Sequence, residues 1–274
     1  MSPTPKPPLS VGIGGLGAIG FAVAKALDAG IPGLALKAVS ARDRDAAAKR
    51  VASFKHKPAV VGLADLAELC DVVVECCPAK EFASVMEPAI ARGRIVMPLS
   101  VGQLLERGDL IERARQTGAR IIVPTGALLG LDAVRAAAEG EIRSVRMVSR
   151  KPPAGLKGAP YLEQHKIDVD AIKTPTKIFD GSARDGARGF PANVNVAAAL
   201  SLAGIGPDKT RLEIWADPTV TRNTHTIELD ADSVRLTMTT ENVPDADNPR
   251  TGRNTPLSTI ACLRSLTATL KVGT

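Results

Sequence analysis

The sequence LSVGIGGLGAIG at residues 9–20 decides the fold, because it joins a short apolar segment to a run of glycines. The alternating Val11 and Ile13 predict a β-strand over Leu9–Gly14. The alanine-rich stretch that begins at Ala18 predicts a helix directly after the glycines. A strand, a glycine turn and a helix in this order are typical of the phosphate-binding unit of dinucleotide-binding folds.

The GxGxxG pattern fits this stretch once from Gly12 and once from Gly15. The second register is preferred because it leaves a complete strand before the turn. In that register Gly15 makes the tight turn, Gly17 admits a pyrophosphate to the backbone, and Gly20 permits close packing of helix against strand. A purely structural glycine turn is the alternative. The residues predicted to bind the cofactor here are Gly15, Gly17, Ala18, Ile19 and Gly20.

Strands and helices alternate along the rest of the first half of the chain. Further strands are predicted at Leu34–Val39, Ala59–Val61, Asp71–Cys76, Arg94–Leu99 and Arg120–Val123. Helices are predicted between them at Asp43–Phe54, Leu63–Leu69, Lys80–Ala91 and Leu104–Thr117. This alternation predicts an α/β fold, a Rossmann-type doubly wound parallel sheet that forms a dinucleotide-binding domain over residues 9–124. Residues 1–8 are expected to be a disordered leader.

The pattern changes to period-two alternation after Pro124, which predicts half-exposed and mostly antiparallel strands. These strands are expected at Ile142–Ser149, Thr176–Phe179, Arg211–Ala216, His225–Leu229 and Val234–Thr239. The expected helices are Leu131–Ala138, Ala192–Leu202 and Leu257–Leu270, and the expected loops are Pro152–Pro160 and Asn242–Asn254. Residues 125–254 are therefore predicted to form a smaller α+β substrate domain. The helix within residues 255–274 is expected to pack back on the first domain.

Composition and charge limit the classes of function. The chain has 274 residues, of which 45% are hydrophobic and 3% aromatic, so aliphatic side chains must fill the core. The net charge of +6 comes from scattered basic residues, and few rings are present to stack on bases, so nucleic-acid binding is not expected. The leader has no apolar segment, and no run approaches the ~18 apolar residues of a membrane span, so neither a signal peptide nor membrane binding is expected.

The cysteines give two further expectations. Cys76 and Cys77 are adjacent, and with Cys70 and Cys262 they show no paired CxxC spacing, so the chain is expected to bind no metal. Free thiols in a chain without a secretion signal are typical of a reducing compartment. The predicted location is the cytoplasm.

The end of the second predicted strand bears on the choice between NAD and NADP. Folds specific for NAD usually place an acidic residue there to bind the ribose 2′-hydroxyl. This chain has Ser40, Ala41 and Arg42 before Asp43, and an arginine suits a 2′-phosphate. We therefore predict NAD or NADP as the cofactor, with Arg42 as a candidate contact. Arg42 is alternatively the first solvated residue of the next helix.

One of the three histidines is a candidate for proton transfer. His56 and His165 lie in polar stretches and are expected to be solvated. His225 shares its face of a predicted strand with Asn223, Ile227 and Leu229, so it points to the covered side of the sheet. An imidazole there suits proton acceptance during oxidation of an amine or alcohol carbon. A packed core histidine is the alternative.

Several segments together resemble the L-aspartate dehydrogenase family. They are VGIGGLGAIG, VVEC, PTGALLGLDAV, SRKPP, FDGSARDGARGFPANVNVAAALSLAGIG, the ADP of residues 216–218, and RNTHTIEL. The block from Asp180 to Gly206 is the most specific, since no general nucleotide-binding fold requires it. The resemblance runs from the glycine turn nearly to the C-terminus.

The resemblance implies an NAD(P)-dependent oxidation of L-aspartate to iminoaspartate, which water converts to oxaloacetate and ammonia. It also implies that His225 is the catalytic residue, that Ala127 and Asn195 contact the cofactor, and that the protein is a homodimer. Asn195 alternatively caps the helix that follows Pro191.

The substrate's two carboxylates need cationic or N–H partners, and the nearest candidates by motif are Arg150, Lys151 and Arg184. Each of them is alternatively a surface charge. A reductase of carbonyls or sugars is the first competing function, but the lysine of the EKP turn in glucose-fructose-type oxidoreductases is missing from residues 97–100. The second is an NAD(P)-binding redox sensor without catalysis, which needs no histidine aimed into the binding cleft.

Overall fold

The computed structural model describes residues 7–245 and 252–273 of the chain. The chain divides into two compact units. The N-terminal unit contains the described residues of Met1–Gln103, Arg107–Pro124 and Pro256–Lys271. The C-terminal unit contains the described residues of Leu104–Glu106, Thr125–Thr255 and Val272–Thr274. Most of the expected leader, and residues 246–251 of the loop expected at Asn242–Asn254, lie outside the described residues.

A six-stranded parallel sheet forms the centre of the N-terminal unit. Its strands are β1 (Leu9–Gly14), β2 (Leu34–Ser40), β3 (Ala59–Val60), β4 (Val72–Glu75), β5 (Ile95–Pro98) and β6 (Arg120–Ile121). Their order is β3-β2-β1-β4-β5-β6, which confirms the predicted doubly wound sheet. The order reverses between β1 and β4, and ligands of such sheets bind beyond the carboxyl ends of the strands at this point.

The helices of this unit largely follow the predicted positions. They are α1 (Ala18–Ala29), α2 (Arg44–Val51), α3 (Leu66–Leu69), α4 (Phe82–Ala91) and α5 (Gly108–Thr117). The helix expected from Leu104 begins later, because Val101–Glu106 forms a 3₁₀ helix first. Apolar spacing alone does not separate the three-residue turn of a 3₁₀ helix from the 3.6-residue turn of an α-helix.

The C-terminal unit is built on a five-stranded mixed sheet in the order β11-β10-β7-β9-β8. The strands are β7 (Ile142–Lys151), β8 (Thr176–Ser182), β9 (Thr210–Ala216), β10 (Asn223–Ala231) and β11 (Arg235–Asn242). Strands β7 and β9 run parallel, and the other neighbours are antiparallel. β7 is longer than predicted, because backbone pairing continues to Lys151, opposite Ala216, beyond the residues whose alternation revealed the strand.

The C-terminal unit also holds helices that the sequence analysis missed. The remaining helices of the chain are α6 (Leu131–Ala137), α7 (Pro160–Gln164), α8 (Ala183–Gly189), α9 (Asn195–Ala203) and α10 (Asn254–Ser265), and most of α10 belongs to the N-terminal unit. α7 begins at the end of the loop expected at Pro152–Pro160. α8 was hidden by its glycines, although Ser182 caps it by accepting a hydrogen bond from the N–H of Asp185 at 3.1 Å. None of the helices in the described part of the chain has the length and apolar content that crossing a bilayer requires.

Aliphatic side chains form the core of the N-terminal unit, as the low aromatic content predicts. Val11, Ile13, Val72 and Val74 are fully buried, because β1 and β4 lie at the centre of the sheet. Leu263 of α10 belongs to the same hydrophobic cluster, so the last helix completes this core. The core holds the ends of β1 and β4 in fixed positions, and the loops that follow those ends carry the candidate cofactor site.

Candidate functional site

Gly15 and Gly20 are required by the backbone of the turn after β1. Gly15 has a φ of +95°, and a Cβ there would lie 2.5 Å from the carbonyl oxygen of Cys76. A Cβ on Gly20 would overlap the carbonyl oxygen of Gly15. The N–H of Gly15 donates to the carbonyl oxygen of Ser40 at 2.8 Å, which ties the turn to the end of β2. The two glycines therefore make the tight turn and the close helix packing that the second register of the motif requires.

Gly17 leaves the start of α1 open. It is exposed, and a Cβ built on it would meet no described atom within 4 Å. Gly17 is the N-cap of α1, and among the described residues no side chain caps this helix and its first turn holds no acid. The N–H groups of Ala18 and Ile19 and the helix dipole therefore favour an anion. Bare backbone beside a positive helix end fits the pyrophosphate of a dinucleotide.

Arg50 braces the glycine turn from the neighbouring helix, and the sequence analysis missed it. Its Nη1 donates to the carbonyl oxygen of Leu16 at 2.6 Å. Its guanidinium carbon lies 4.0 Å from the centroid of the Phe21 ring, within range of a cation–π contact. A basic residue in the last turn of α2 carries no signal of this role, since such residues are common at helix ends.

Arg42 and Asp43, which follow β2, have different surroundings. The Asp43 carboxylate accepts a hydrogen bond from the N–H of Ala46 at 2.9 Å and so caps α2. The side chain of Arg42, directly before this cap, is exposed. Ser40 is buried, with its carbonyl oxygen bonded to the glycine turn. Asp43 therefore caps helix α2, whereas the exposed side chain of Arg42 is accessible to solvent or to a ligand.

Glu75 at the end of β4 is a fully buried carboxylate that the sequence analysis treated as part of an apolar strand. Its Oε1 accepts from the N–H of Cys77 at 2.9 Å and from Ser100 Oγ at 3.1 Å. Its Oε2 accepts from the N–H of Ser100 at 2.9 Å and of Leu99 at 3.2 Å. Burial raises the pKa of Glu75, and these hydrogen bonds oppose the rise. Because all four partners are donors, the ionised form fits, and it joins the loops after β4 and β5.

His225 lies within the sheet of the C-terminal unit, on its covered face as the alternation predicts. It pairs with Ser149 of β7 on one side and with Thr240 of β11 on the other. The residue is 3% exposed. Its Nδ1 lies 3.0 Å from Ser149 Oγ, and this is the hydrogen bond of the ring among the described residues. The three side chains form a polar row across one face of the sheet, which we call the histidine row.

Lys151 lies on the same face of β7 as Ser149, two residues further along the strand. It is buried, and its Nζ donates to Asn193 Oδ1 at 2.8 Å. Burial lowers the pKa of Lys151 to about 8. Within residues 7–245 and 252–273, this ammonium has no carboxylate partner within salt-bridge distance. A buried cation held by a neutral amide is costly to maintain without an anion.

The protonation of His225 depends on both burial and Lys151. Burial, and to a smaller extent the positive charge of Lys151, together lower the pKa of His225 to about 3. The imidazole is therefore neutral around neutral pH. A negative charge that approached Lys151 would weaken the second effect and raise the pKa of His225. Imidazole and ammonium thus form an electrostatically coupled pair.

Thr240 adds an unsatisfied polar atom to the histidine row. Its Oγ1 is buried and has no hydrogen-bond partner among the described residues. A buried hydroxyl without a partner costs about 1–3 kcal/mol. Such an atom beside His225 marks a position where a polar group of a ligand would be stabilised. The sequence gives no signal for it, because a threonine in a half-exposed strand is ordinary.

The turn that contains Ala127 is fixed by two asparagines of the C-terminal unit. Asn242 of β11, two residues from Thr240, donates through Nδ2 to the carbonyl oxygen of Ala127 at 3.0 Å. Asn254 donates through Nδ2 to the carbonyl oxygen of Gly126 at 3.1 Å. The strand next to His225 therefore also positions the turn of Ala127. Neither asparagine was predicted, since their partners lie more than 110 residues away in sequence.

Asn195 is the first residue of α9, and the N-cap of this helix is Val194. Asn195 is therefore not the N-cap residue of this helix. The helix begins later than the expected Ala192, because a turn precedes it in which the N–H of Asn193 donates to the carbonyl oxygen of Phe190 at 2.8 Å. The same Asn193 accepts the hydrogen bond from Lys151, so this turn links the start of α9 to the lysine.

The structure does not bring Arg150 and Arg184 to His225. Arg150 follows Ser149 on β7, so it points to the opposite face, where Nη1 lies 3.2 Å from Asp217 Oδ2. Its guanidinium carbon lies 4.5 Å from the centroid of Trp215. Arg184 forms a bidentate pair with Asp208, with distances of 2.6 and 3.0 Å. Of the three cations predicted to bind substrate, Lys151 is the one beside the imidazole.

The two halves of the chain match two family models. Residues 15–124 match the model described as homoserine dehydrogenase, NAD binding domain. Residues 132–266 match the model described as aspartate dehydrogenase, C-terminal. The first match covers most of the parallel sheet, and the second covers the mixed sheet with its histidine row.

Full-length relatives are similar at high identity. The L-aspartate dehydrogenase of Bradyrhizobium diazoefficiens is 53% identical over 266 residues, which are 97% of this chain and 94% of that protein. L-aspartate dehydrogenase 3 of Bordetella bronchiseptica is 53% identical over 267 residues, 97% of this chain and 98% of that protein. The L-aspartate dehydrogenase of Methanocella arvoryzae is 42% identical over 268 residues, with 96% and 99% covered.

Solved structures share the fold at low identity. Aspartate dehydrogenase from Thermotoga maritima superposes with a TM-score of 0.71 at 20% identity, over 97% of this chain and 99% of that chain. The apo scyllo-inositol dehydrogenase from Lactobacillus casei superposes with a TM-score of 0.54 at 16% identity, over 94% and 86%. At these identities the likeness establishes the architecture alone, a parallel nucleotide-binding sheet followed by a mixed sheet.

Proposed function

The chain belongs to the L-aspartate dehydrogenase family, and from this membership we propose that it oxidises L-aspartate to iminoaspartate with NAD(P)⁺. Water then converts iminoaspartate to oxaloacetate and ammonia. The observation that carries the proposal is the pair formed by His225 and Lys151, a neutral imidazole beside a buried ammonium that has no carboxylate partner among the described residues. Such a pair suits a substrate that brings both a carboxylate and a proton to be removed.

The glycine turn and the start of α1 are the proposed binding site for the cofactor pyrophosphate. Gly17 offers bare backbone, and Ala18 and Ile19 offer N–H groups at a positive helix end. Ala127 and Asn195 are proposed as further contacts of the cofactor, following the family resemblance. When bound, NAD(P)⁺ supplies the hydride acceptor for the substrate Cα–H bond.

We assign a carboxylate of L-aspartate to Lys151. Its ammonium is buried, and within the described part of the chain its hydrogen bond to the neutral Asn193 leaves the charge uncompensated. A carboxylate would compensate this charge and accept a charge-assisted hydrogen bond. Asn193 would hold the ammonium in position, since the amide oxygen accepts from Nζ and cannot compete as an anion.

His225 is the proposed proton acceptor. The neutral ring takes a proton either from the α-ammonium of the substrate or from the water that attacks the imine. Burial and Lys151 hold its pKa low, which makes the free protein's imidazole a weak base. A substrate carboxylate beside Lys151 offsets the positive charge and raises the pKa of His225. The imidazole therefore gains basicity when substrate is bound.

Assembly and location complete the proposal. A homodimer follows from the family resemblance, and light scattering of the purified protein at micromolar concentration would measure the assembly mass. The four cysteines, all free thiols, favour a reducing compartment such as the cytoplasm.

The direct test is an initial-rate assay at mildly alkaline pH. L-Aspartate is offered with NAD⁺ and with NADP⁺, and reduced cofactor and ammonia are measured. The expected result is equal amounts of both products with L-aspartate, and much slower rates with L-alanine, L-glutamate and L-malate. Folded protein that binds cofactor but produces neither product from L-aspartate would overturn the proposal. Faster turnover of L-malate would replace it with a hydroxy-acid dehydrogenase.

A further inference from the structure

Ser149 holds one nitrogen of the imidazole. It lies directly opposite His225 in the antiparallel pairing of β7 with β10. Each residue is 3% exposed, so neither side chain exchanges its partner with bulk water easily. The 3.0 Å contact joins Ser149 Oγ to Nδ1 of the ring. Backbone pairing fixes both Cα positions, so this contact sets which ring nitrogen remains for a ligand.

The contact is compatible with two arrangements of protons, because a hydroxyl both donates and accepts. In one, Ser149 donates to the lone pair of Nδ1, and the ring proton is on Nε2. In the other, Nδ1–H donates to Ser149 Oγ, and the lone pair is on Nε2. Only the second arrangement leaves an unprotonated nitrogen away from Ser149.

We propose that Ser149 is a positioning residue that accepts the hydrogen bond from His225 Nδ1–H and so keeps Nε2 as the proton-accepting nitrogen. The inference rests on the proposed role of His225 as proton acceptor. It adds to that role that Nε2 is the accepting atom and that Ser149 is the residue that selects it. Ser149 touches neither substrate nor cofactor in this account and acts through the imidazole.

Two features of the histidine row support this assignment. Burial and Lys151 keep the ring neutral, so His225 carries a single proton, on Nδ1 or on Nε2, rather than protons on both nitrogens. When Nε2 takes a proton, Nδ1 still carries its own, and the same serine oxygen continues to accept it. The hydrogen bond therefore needs no rearrangement during proton transfer, which is the advantage of a preorganised site.

The tautomer is measured by long-range ¹H–¹⁵N NMR of the imidazole groups in ¹⁵N-labelled full-length protein without substrate. The chain has three histidines, and His56→Gln and His165→Gln identify the signals of His225 by elimination. The expected spectrum shows a protonated nitrogen at Nδ1 and an unprotonated nitrogen at Nε2. A proton on Nε2 instead would overturn the inference.

A second measurement uses Ser149→Ala, with Ser149→Thr retaining the hydroxyl. Ser144→Ala is the matched control, because Ser144 lies on the same strand with an exposed side chain. Loss of an orienting partner of a catalytic histidine is expected to lower kcat about 10- to 100-fold. The Kd of the cofactor should stay unchanged, and Ser149→Thr should recover much of the kcat.

The outcomes separate the inference from the proposed function. If the wild-type protein does not turn over L-aspartate, the proposed function is wrong, but the tautomer of His225 can still be measured. If the wild-type protein is active and Ser149→Ala has the same kcat, only the positioning role of Ser149 is wrong. If Ser149→Ala does not fold, the spectrum of the wild-type protein still decides the assignment.

Discussion

The two units of the molecule present their candidate sites in different ways. The N-terminal unit offers backbone: the bare Gly17, the N–H groups at the start of α1 and a turn closed by Gly15. The C-terminal unit offers buried side chains, with His225 and Lys151 on one face of the mixed sheet. Backbone groups recognise a charged ligand without changing protonation, whereas the imidazole and ammonium have shifted pKa values. We therefore expect changes in the first unit to alter cofactor affinity and changes in the second to alter turnover.

Replacing His225 should have the largest effect. His225→Ala removes the proton acceptor, and a general base typically contributes about 100- to 10,000-fold to the rate. The expected result is a kcat lowered by that order, with the cofactor Kd measured by fluorescence unchanged. His56→Ala, at an exposed histidine, is the control. Near-normal turnover in His225→Ala would show that the imidazole only fills the core.

Replacing Lys151 should weaken substrate binding and change the titration of His225. Lys151→Met removes a charged hydrogen bond worth about 1.5–3 kcal/mol, so the KM for L-aspartate should rise about 10- to 100-fold. Because the ammonium lowers the pKa of His225, its removal should raise that pKa towards the ordinary value. NMR titration of the variant measures the shift. A lower pKa than in the wild-type protein would contradict the sign of the coupling.

The same Lys151→Met variant should be more stable than the wild-type protein. Burial lowers the pKa of Lys151 to about 8, below its unfolded value, so at neutral pH the ammonium is less stable in the folded chain than in the unfolded chain. Removing it should raise the free energy of unfolding by about 1–3 kcal/mol. The gain should shrink as the pH rises from 8 towards 10.5, because the wild-type lysine loses its proton near pH 8 in the folded chain and near pH 10.5 in the unfolded chain. Urea denaturation at two pH values measures both effects.

A change at Gly17 tests the backbone site of the N-terminal unit. Gly17→Ala meets no described atom within 4 Å, so the protein should fold normally. Its methyl group would occupy the space next to the helix start, and the cofactor Kd should rise about tenfold, or 1.4 kcal/mol. Gly108→Ala is the matched control, because Gly108 also lies at the start of a helix and a Cβ there also meets no described atom within 4 Å. Equal cofactor affinity in both variants would show that the pyrophosphate does not bind at Gly17.

The smallest expected effect concerns the choice of cofactor. Arg42 is exposed at the end of β2, while Asp43 is engaged in capping α2. Arg42→Ala should weaken NADP⁺ more than NAD⁺, because an arginine binds a 2′-phosphate but is not required by a 2′-hydroxyl. Separate Kd measurements for the two cofactors decide this. Equal weakening of NAD⁺ and NADP⁺ binding would show that Arg42 is a solvated surface residue without a role in the choice of cofactor.

The glycine turn and the parallel sheet were predictable because their signals are contiguous in sequence. Residues 9–20 contain the strand, the turn and the helix start in one stretch, and burial on both faces made β4 an uninterrupted apolar run. α8 was not predictable in the same way, since Gly186 and Gly189 interrupt its helical pattern. Glycine has a low intrinsic helix propensity, and in α8 the packing of the helix outweighs it.

The side-chain site was only partly predictable. Alternation predicted the covered face for His225, but the neighbours of the ring depend on the register between strands that are far apart in sequence. Ser149 lies 76 residues from His225, and nothing local indicates that they are opposite each other. The family resemblance supplied the role of His225, while Thr240 and Asn193 became visible only through the structure.

The central claim is that His225 is a buried, neutral imidazole whose basicity depends on the charge of Lys151. The most direct test is an NMR titration of the His225 ring protons between pH 8 and pH 5, with and without saturating succinate as a non-reacting dicarboxylate. We expect no protonation of the ring in the free protein over this range, and a higher pKa once succinate binds, because a carboxylate offsets the ammonium. A ring that titrates near 6.5 in the free protein and ignores succinate would contradict it.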